Sequence, residues 1–231
     1  MGRILLVPDS FKGTLSSRQV CSTMKEQVER FFPGEEILSL PVADGGEGRV
    51  DAFLEAVGGQ KKTVRVTGPL GEPMESFYGI LADGKTAVIE MAACAGLPLV
   101  EGRENPEKTT TYGVGELLLA ARDAGCREVI LGLGGSCTND GGAGAAAALG
   151  AKFTKAGGEA FIPTGGTLSQ IAEVDCRPVQ EALRGMNVQV MCDIDNPLFG
   201  KTGAAAVFAP QKGADEPMVE RLDQGLRHLG Q

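Results

Sequence analysis

Leu131-Gly-Leu-Gly-Gly-Ser-Cys-Thr-Asn-Asp-Gly-Gly-Ala-Gly144 follows directly on the apolar run Glu128-Val-Ile-Leu131 and leads into an alanine-rich segment that ends at Leu149. The run predicts a buried strand, and the alanine segment predicts a helix. Strand, glycine-rich loop and helix start, in that order, suit an anion. Free backbone N–H groups and the positive helix end face the ligand, and glycines permit close approach. Gly134 and Gly135 supply amides, Ser136 and Thr138 add hydroxyls, Asn139 adds an amide side chain, and Asp140 is available to a metal or a proton.

The flanks extend a pattern of alternating strands and helices. Arg3–Val7 and Glu36–Leu40 read as strands. Between them a Ser16-x-x-Gln19 capping box opens a helix with Val20, Met24, Val28 and Phe31 on one side. Ala43-Asp-Gly-Gly-Glu-Gly48 then enters a helix carrying Val50, Phe53, Leu54 and Val57, closed by Gly58-Gly59. This β-α-β-α opening is the mark of a doubly wound sheet. From Lys61 to Met91 the period changes to two, with strands expected at Thr63–Thr67, Ser76–Ala82 and Lys85–Met91. We place a domain edge at that change. Thr110 is expected to cap a helix with Val114, Leu117, Leu118 and Ala121, ended by Gly125. Residues 151–187 carry little pattern; Asn187–Cys192 reads as a strand, and Asp215 with Pro217 starts a last helix.

Bulk properties exclude several classes. The chain has 231 residues, 42% of them hydrophobic and 23% charged, as in a globular protein with a real core. A net charge of −8 argues against nucleic acid and anionic membranes as partners. Six cysteines lack any C-x-x-C spacing, so they read as small hydrophobes in a reducing compartment. No signal peptide or membrane span is legible, and the cytoplasm is the expected location. A single histidine, His228, leaves Ser-His-Asp chemistry and histidine metal sites without material.

Two motif matches fail on context. Gly79-Ile-Leu-Ala-Asp-Gly-Lys-Thr86 fits the Walker A pattern, but β-type residues follow it and Ala82-Asp-Gly84 reads as a hairpin turn. Gly132-x-Gly134-x-x-Cys137 lacks the third glycine of a dinucleotide fingerprint. Other segments carry chemistry. Pro8-Asp-Ser10-Phe-Lys12-Gly-Thr14 places a hydroxyl and a cation after the first strand, and Lys12 suits a phosphate or a carboxylate. Asp44 and Glu47, set among Gly45 and Gly46, suit a Mg²⁺ or general-base role or simply favour a helix N-terminus. Asp193 and Asp195 fall on one side of an extended stretch beside Asn196, which suits Mg²⁺. Gln211 and Lys212 could bind substrate oxygens. Asp44-Gly-Gly-Glu-Gly48 and Asp140-Gly-Gly-Ala-Gly144 also echo each other, and we read them as similar loops facing one cleft.

Taken in order, Pro8-Asp-Ser-Phe-Lys-Gly, Ala43-Asp-Gly-Gly-Glu-Gly, Gly68-Pro-Leu-Gly, Val88-Ile-Glu-Met-Ala, Leu133-Gly-Gly-Ser-x-Thr-Asn-Asp-Gly-Gly-Ala-Gly, Cys192-Asp-x-x-Asn-Pro-Leu and Pro210-Gln-Lys-Gly-Ala resemble the bacterial type-1 glycerate kinase family. The resemblance runs from Ile4 to about Leu226. It implies an α/β fold with two parts: a Rossmann-like parallel-sheet domain, incomplete here and begun by residues 1–60, and a second α/β domain with a mixed sheet over residues 61–231, whose C-terminal end returns toward the first. It implies ATP-dependent phosphorylation of D-glycerate in the cleft between them, with Mg²⁺ as cofactor and 2-phosphoglycerate expected ahead of 3-phosphoglycerate. A homodimer is a further expectation.

Chemistry then suggests the roles. Gly134, Gly135, Ser136 and Thr138 would hold phosphates, Asp193 or Asp195 would hold Mg²⁺, Asp44 would accept the hydroxyl proton, and Lys12 would neutralise the migrating phosphoryl or clamp the carboxylate. Three departures from the family pattern stand out. Cys137 replaces the usual alanine. Arg49 replaces a small residue and is expected to add charge near the acceptor. The family continues with a Gly/Ala-rich stretch and a Thr-Gly-Glu-Gly motif where this chain stops at Gln231. The expectation is a truncated form lacking part of the sheet and cleft. Its alternatives are a non-catalytic fragment that holds a nucleotide or phosphometabolite, and, less favoured by the broken fingerprint, an NAD-dependent enzyme.

Overall fold

The computed structural model describes residues 2–9, 11, 14–40 and 48–231. The chain opens with β1 (Arg3–Leu6), α1 (Ser17–Phe31) and β2 (Glu36–Ser39), a parallel pair joined by a helix. The Ser16/Gln19 capping box is present as expected. Next come α2 (Arg49–Val57), β3 (Gly59–Thr67), β4 (Pro73–Leu81), β5 (Thr86–Glu90), the short α3 (Ala92–Ala95), α4 (Tyr112–Asp123) and β6 (Glu128–Gly132). The remainder is α5 (Ala143–Ala148), β7 (Lys152–Thr154), β8 (Ala160–Phe161), β9 (Glu173–Asp175), α6 (Arg177–Ala182), β10 (Asn187–Met191), α7 (Ala204–Phe208) and α8 (Glu216–Leu229).

The central sheet has the order β10-β6-β5-β4-β3. Its β3, β4 and β5 run antiparallel, while β5, β6 and β10 are parallel, so the sheet is mixed as expected. Alternation along β4 decides which layer covers each face. Tyr78 and Ile80 enter the core with Val114, Leu117, Leu118 and Ala121 of α4, and the Tyr78 hydroxyl donates to the Ala120 carbonyl. Gly79 points the other way, where Val50 and Leu54 of α2 lie within 3.4 Å of the place a Cβ would take. The helix α2, which precedes residue 60, thus covers the outer face of the five-stranded sheet.

A second core joins Ala143, Phe153, Leu168, Ile171, Leu222 and Leu226. The segment over 151–187 is more ordered than its sequence pattern suggests. It contains the three-stranded sheet β8-β7-β9 and a 3₁₀ turn, Gly165–Gln170, on which α8 rests. Ala82-Asp-Gly84 is a hairpin turn: Asp83 accepts from the amides of Lys85 and Thr86 and from the Thr86 hydroxyl, so the Walker-like match has no phosphate loop in it. The α4 cap differs by one residue from the expectation. Thr111 is the N-cap, and Thr110 Oγ1 accepts from the Tyr112 amide.

Candidate functional site

The three parallel strands end level. Glu90 of β5 pairs with Gly132 of β6, and Gly132 pairs with Met191 of β10. Chain leaves this edge as the loop from Leu133 and as the stretch from Cys192 that carries Asp193, Asp195 and Asn196. Ligands of open α/β sheets bind outside the carboxyl ends of parallel strands.

The glycine loop is braced from outside. Leu97 N donates to Gly135 O, Cys137 N to Ala95 O, and the Thr109 hydroxyl to Cys137 O. Gly135 takes φ +74°, which only glycine adopts without strain, with Ala92 packed close against it. Among the described residues, the N–H groups of Gly134, Gly135 and Ser136 bond to nothing. Three successive free amides on a rigid backbone form an anion cradle. Lys212 adds a cation at its side: Nζ donates to Ser136 Oγ at 3.0 Å and to the Thr138 carbonyl at 2.5 Å. Burial pushes the lysine's pKa down to about 8, against the pull of Cys137 and Asp140. Thr138 and Asn139 are buried beside it, and Asn139 Nδ2 has no partner.

The helix that follows the loop does not serve as expected. Its leading donors are already taken by the chain. Asp140 carboxylate oxygens accept from the amides of Gly142 and Gly144 and from the amide and hydroxyl of Thr111, the Ala143 amide bonds to Asp140 O, and Ala145 N donates to Thr111 Oγ1. The positive end of α5 is therefore closed to a ligand. Asp140, 1% exposed, braces the loop instead of reaching a metal or proton. Its burial raises the carboxyl pKa while those four donors lower it. The echo between the two acid-glycine motifs also breaks down. The second enters its helix with Gly142, its third residue, as N-cap, and the first with Gly48, its fifth.

The other candidates divide. Asp193 and Asp195 are exposed, and Asn196 is half-buried with Nδ2 donated to Thr202 O. No group of three His, Cys, Asp or Glu side chains forms a metal cluster among the described residues. A pair of exposed carboxylates still suits Mg²⁺, which takes one or two from protein and completes its shell with water and phosphate. Gln211 is exposed beside buried Lys212. Ser10, Lys12, Asp44, Gly45, Gly46 and Glu47 lie outside the described residues. One acid escaped the sequence reading: Glu90, 3% exposed, accepts from the amides of Gly48 and Val50 and so caps α2 from the end of β5. An acid ending the apolar run Ala87-Val-Ile89 was the available signal.

The profile of the glycerate kinase family matches residues 4–231. The glycerate kinase of Bacillus subtilis strain 168 is 48% identical over 228 residues, covering 98% of this chain and 60% of that protein. The glycerate 2-kinase of Escherichia coli strain K12 is 44% identical over 230 residues, covering 99% and 60%. Among solved structures, one assigned to glycerate kinase 2 of Salmonella typhimurium LT2 superposes with a TM-score of 0.87 at 44% identity, covering 99% of this chain and 61% of that one. The chain thus spans about 60% of the length of the curated relatives it matches.

Proposed function

This chain belongs to the glycerate kinase family, and on that footing we propose that it carries the phosphate-handling side of an ATP-dependent kinase acting on a hydroxyl of D-glycerate, with 2-phosphoglycerate as product. The observation that supports this reading most directly is the free amide triplet Gly134–Ser136 with the buried cation of Lys212 beside it. Phosphoryl transfer asks for positioning and for neutralisation of charge more than for covalent chemistry. Fixed amides and a dry ammonium supply both without reorganisation.

Asp193 or Asp195, with Asn196 alongside, would hold Mg²⁺, and the ion would offset phosphate charge when bound. Ser10, Lys12, Asp44, Gly45, Gly46 and Glu47 keep the roles read from their chemistry: Asp44 takes the acceptor's proton, Lys12 meets phosphoryl or carboxylate, and the others line the site. Thr138, Asn139 and Gln211 complete the polar lining. A second reading is favoured by the coverage of its relatives, about 60% of their length: the chain binds nucleotide or phosphometabolite without turnover.

Coupled ADP release with D-glycerate and MgATP, beside calorimetric titration of MgATP, separates the two. ADP release supports the kinase, and ³¹P spectra of the product identify the hydroxyl. Saturable MgATP binding without release supports the binding module. A chain that neither binds MgATP nor releases ADP ends both readings.

A further inference from the structure

Arg49 is the first residue of α2, is 2% exposed, and spans from that helix to the end of β6. Its guanidinium lies against the Cα of Gly132, so tightly that any Cβ at position 132 would overlap it. Nε and Nη1 are both buried with no hydrogen-bond partner. No carboxylate among the described residues forms an ion pair with it, and Glu90, at the neighbouring strand end, receives the amides of Gly48 and Val50 instead. Position N1 is moreover where the helix macrodipole is positive and repels a cation. A buried guanidinium with orphaned donors at the positive end of a helix is unfavourable on every count. Nothing among the described residues offsets it.

We propose that Arg49 is the receptor for the carboxylate of the acceptor substrate, seated beyond Gly132 from the phosphate cradle. The inference rests on the kinase reading above and adds to it a specificity-determining residue. Two observations favour a carboxylate over a phosphate. The amide triplet already has its own cation in Lys212, and Arg49 follows immediately on the acid-glycine turn read as the acceptor side. A guanidinium also matches the two coplanar oxygens of a carboxylate better than an ammonium does. Gly132 then has a reason beyond the turn: it is the floor on which the receptor lies.

The test is calorimetric titration of D-glycerate and, separately, of MgATP into the wild-type chain and the variants Arg49→Met, Arg49→Lys and Gly132→Ala, with thermal melting of each. Loss of a charge-assisted pair corresponds to roughly tenfold to hundredfold weaker binding. Arg49→Met is expected to lose that much for D-glycerate and to hold MgATP within about twofold, Arg49→Lys to fall between, and Gly132→Ala to mimic the loss by displacing the guanidinium. The melting temperature of Arg49→Met should match or exceed that of the wild type, because the orphaned donors go with the side chain.

A melting temperature that drops instead assigns Arg49 to the scaffold and overturns the proposal. So does wild-type affinity for D-glycerate in Arg49→Met, or a loss that falls on MgATP. A wild-type chain that binds no D-glycerate removes the kinase reading itself, and this proposal falls with it; the variants overturn the proposal alone.

Discussion

Lys212 shows how one side chain acquires its chemistry from surroundings that are remote in sequence. As part of Pro210-Gln-Lys-Gly213 it reads equally as a surface charge. In the fold its Nζ is buried against Ser136 Oγ and the Thr138 carbonyl, and its pKa falls to about 8. The direction sets two opposite pH effects. Between about 8 and the ordinary lysine value the unfolded chain still binds a proton that the folded chain has released, so this residue makes stability rise with pH over that window. Over the same window the cation disappears, and anion binding weakens by up to about tenfold per unit. Buried Cys94 and Cys137, whose thiols are pushed up to about 12 and about 11, work against stability there. The informative quantity is therefore the difference between wild type and Lys212→Met. MgATP affinity should fall from pH 7.5 to 9.5 in the wild type only, while the wild-type melting temperature rises relative to the variant. Parallel curves would show that Lys212 does not titrate in contact with the ligand. Glu90 and Asp140 belong at this scale too: each buried acid receives amide donors of a helix start, and each thereby fixes a turn of the site's wall.

Among the elements, the pairing of α4 with α5 carries the loop. Thr111 and Asp140 lock their N-terminal ends together, and small residues let the axes approach. A Cβ on Gly115 of α4 would stand 2.7 Å from the Ala148 Cβ and overlap the Ala145 carbonyl. Gly115→Val should therefore cost at least about 1–3 kcal/mol by overpacking, read as a lower urea midpoint with an unchanged slope. Because α5 follows the loop directly, MgATP binding should weaken in the same variant. A variant as stable as wild type would mean that the helices can part without consequence. The six residues of α5 also correct the sequence reading at this scale. An alanine-rich helix after a glycine loop looks like a phosphate-binding terminus, but its donors close on Asp140 and Thr111, and the free amides lie one turn of chain earlier.

For the whole molecule, burial is uneven. The sheet of β3–β6 has a dense core under α4, whereas β1, α1 and β2 bury few side chains: Leu6, Val20 and Cys21, with Leu5, Leu38 and Phe31 left 57%, 56% and 69% exposed. Apolar burial is what makes opening costly, so native-state hydrogen exchange should show the β1–α1–β2 amides opening at a markedly lower free energy than those of β5 and β6. Equal protection in both regions would contradict that gradient. The α1 stripe Val20, Met24, Val28 and Phe31 was legible as periodicity, yet periodicity states only that a helix has an apolar side. Whether another layer covers that side is a property of the assembled fold, and here Met24 and Phe31 remain exposed.

By itself the sequence determined the family, the alternation of strands and helices, the rejection of the Walker-like turn and the glycine loop as the probable seat of an anion. These follow from local chemistry: period, capping residues, turn residues and motif order. Only the tertiary structure decided which donors the loop keeps free, that Asp140 is spent on the chain, that Lys212 is buried at Ser136, and that Arg49 lies unpaired on Gly132. Those facts depend on residues brought together across the sheet edge from distant positions. Whether a polar group binds a ligand or its own backbone is settled by which partner reaches it first in space.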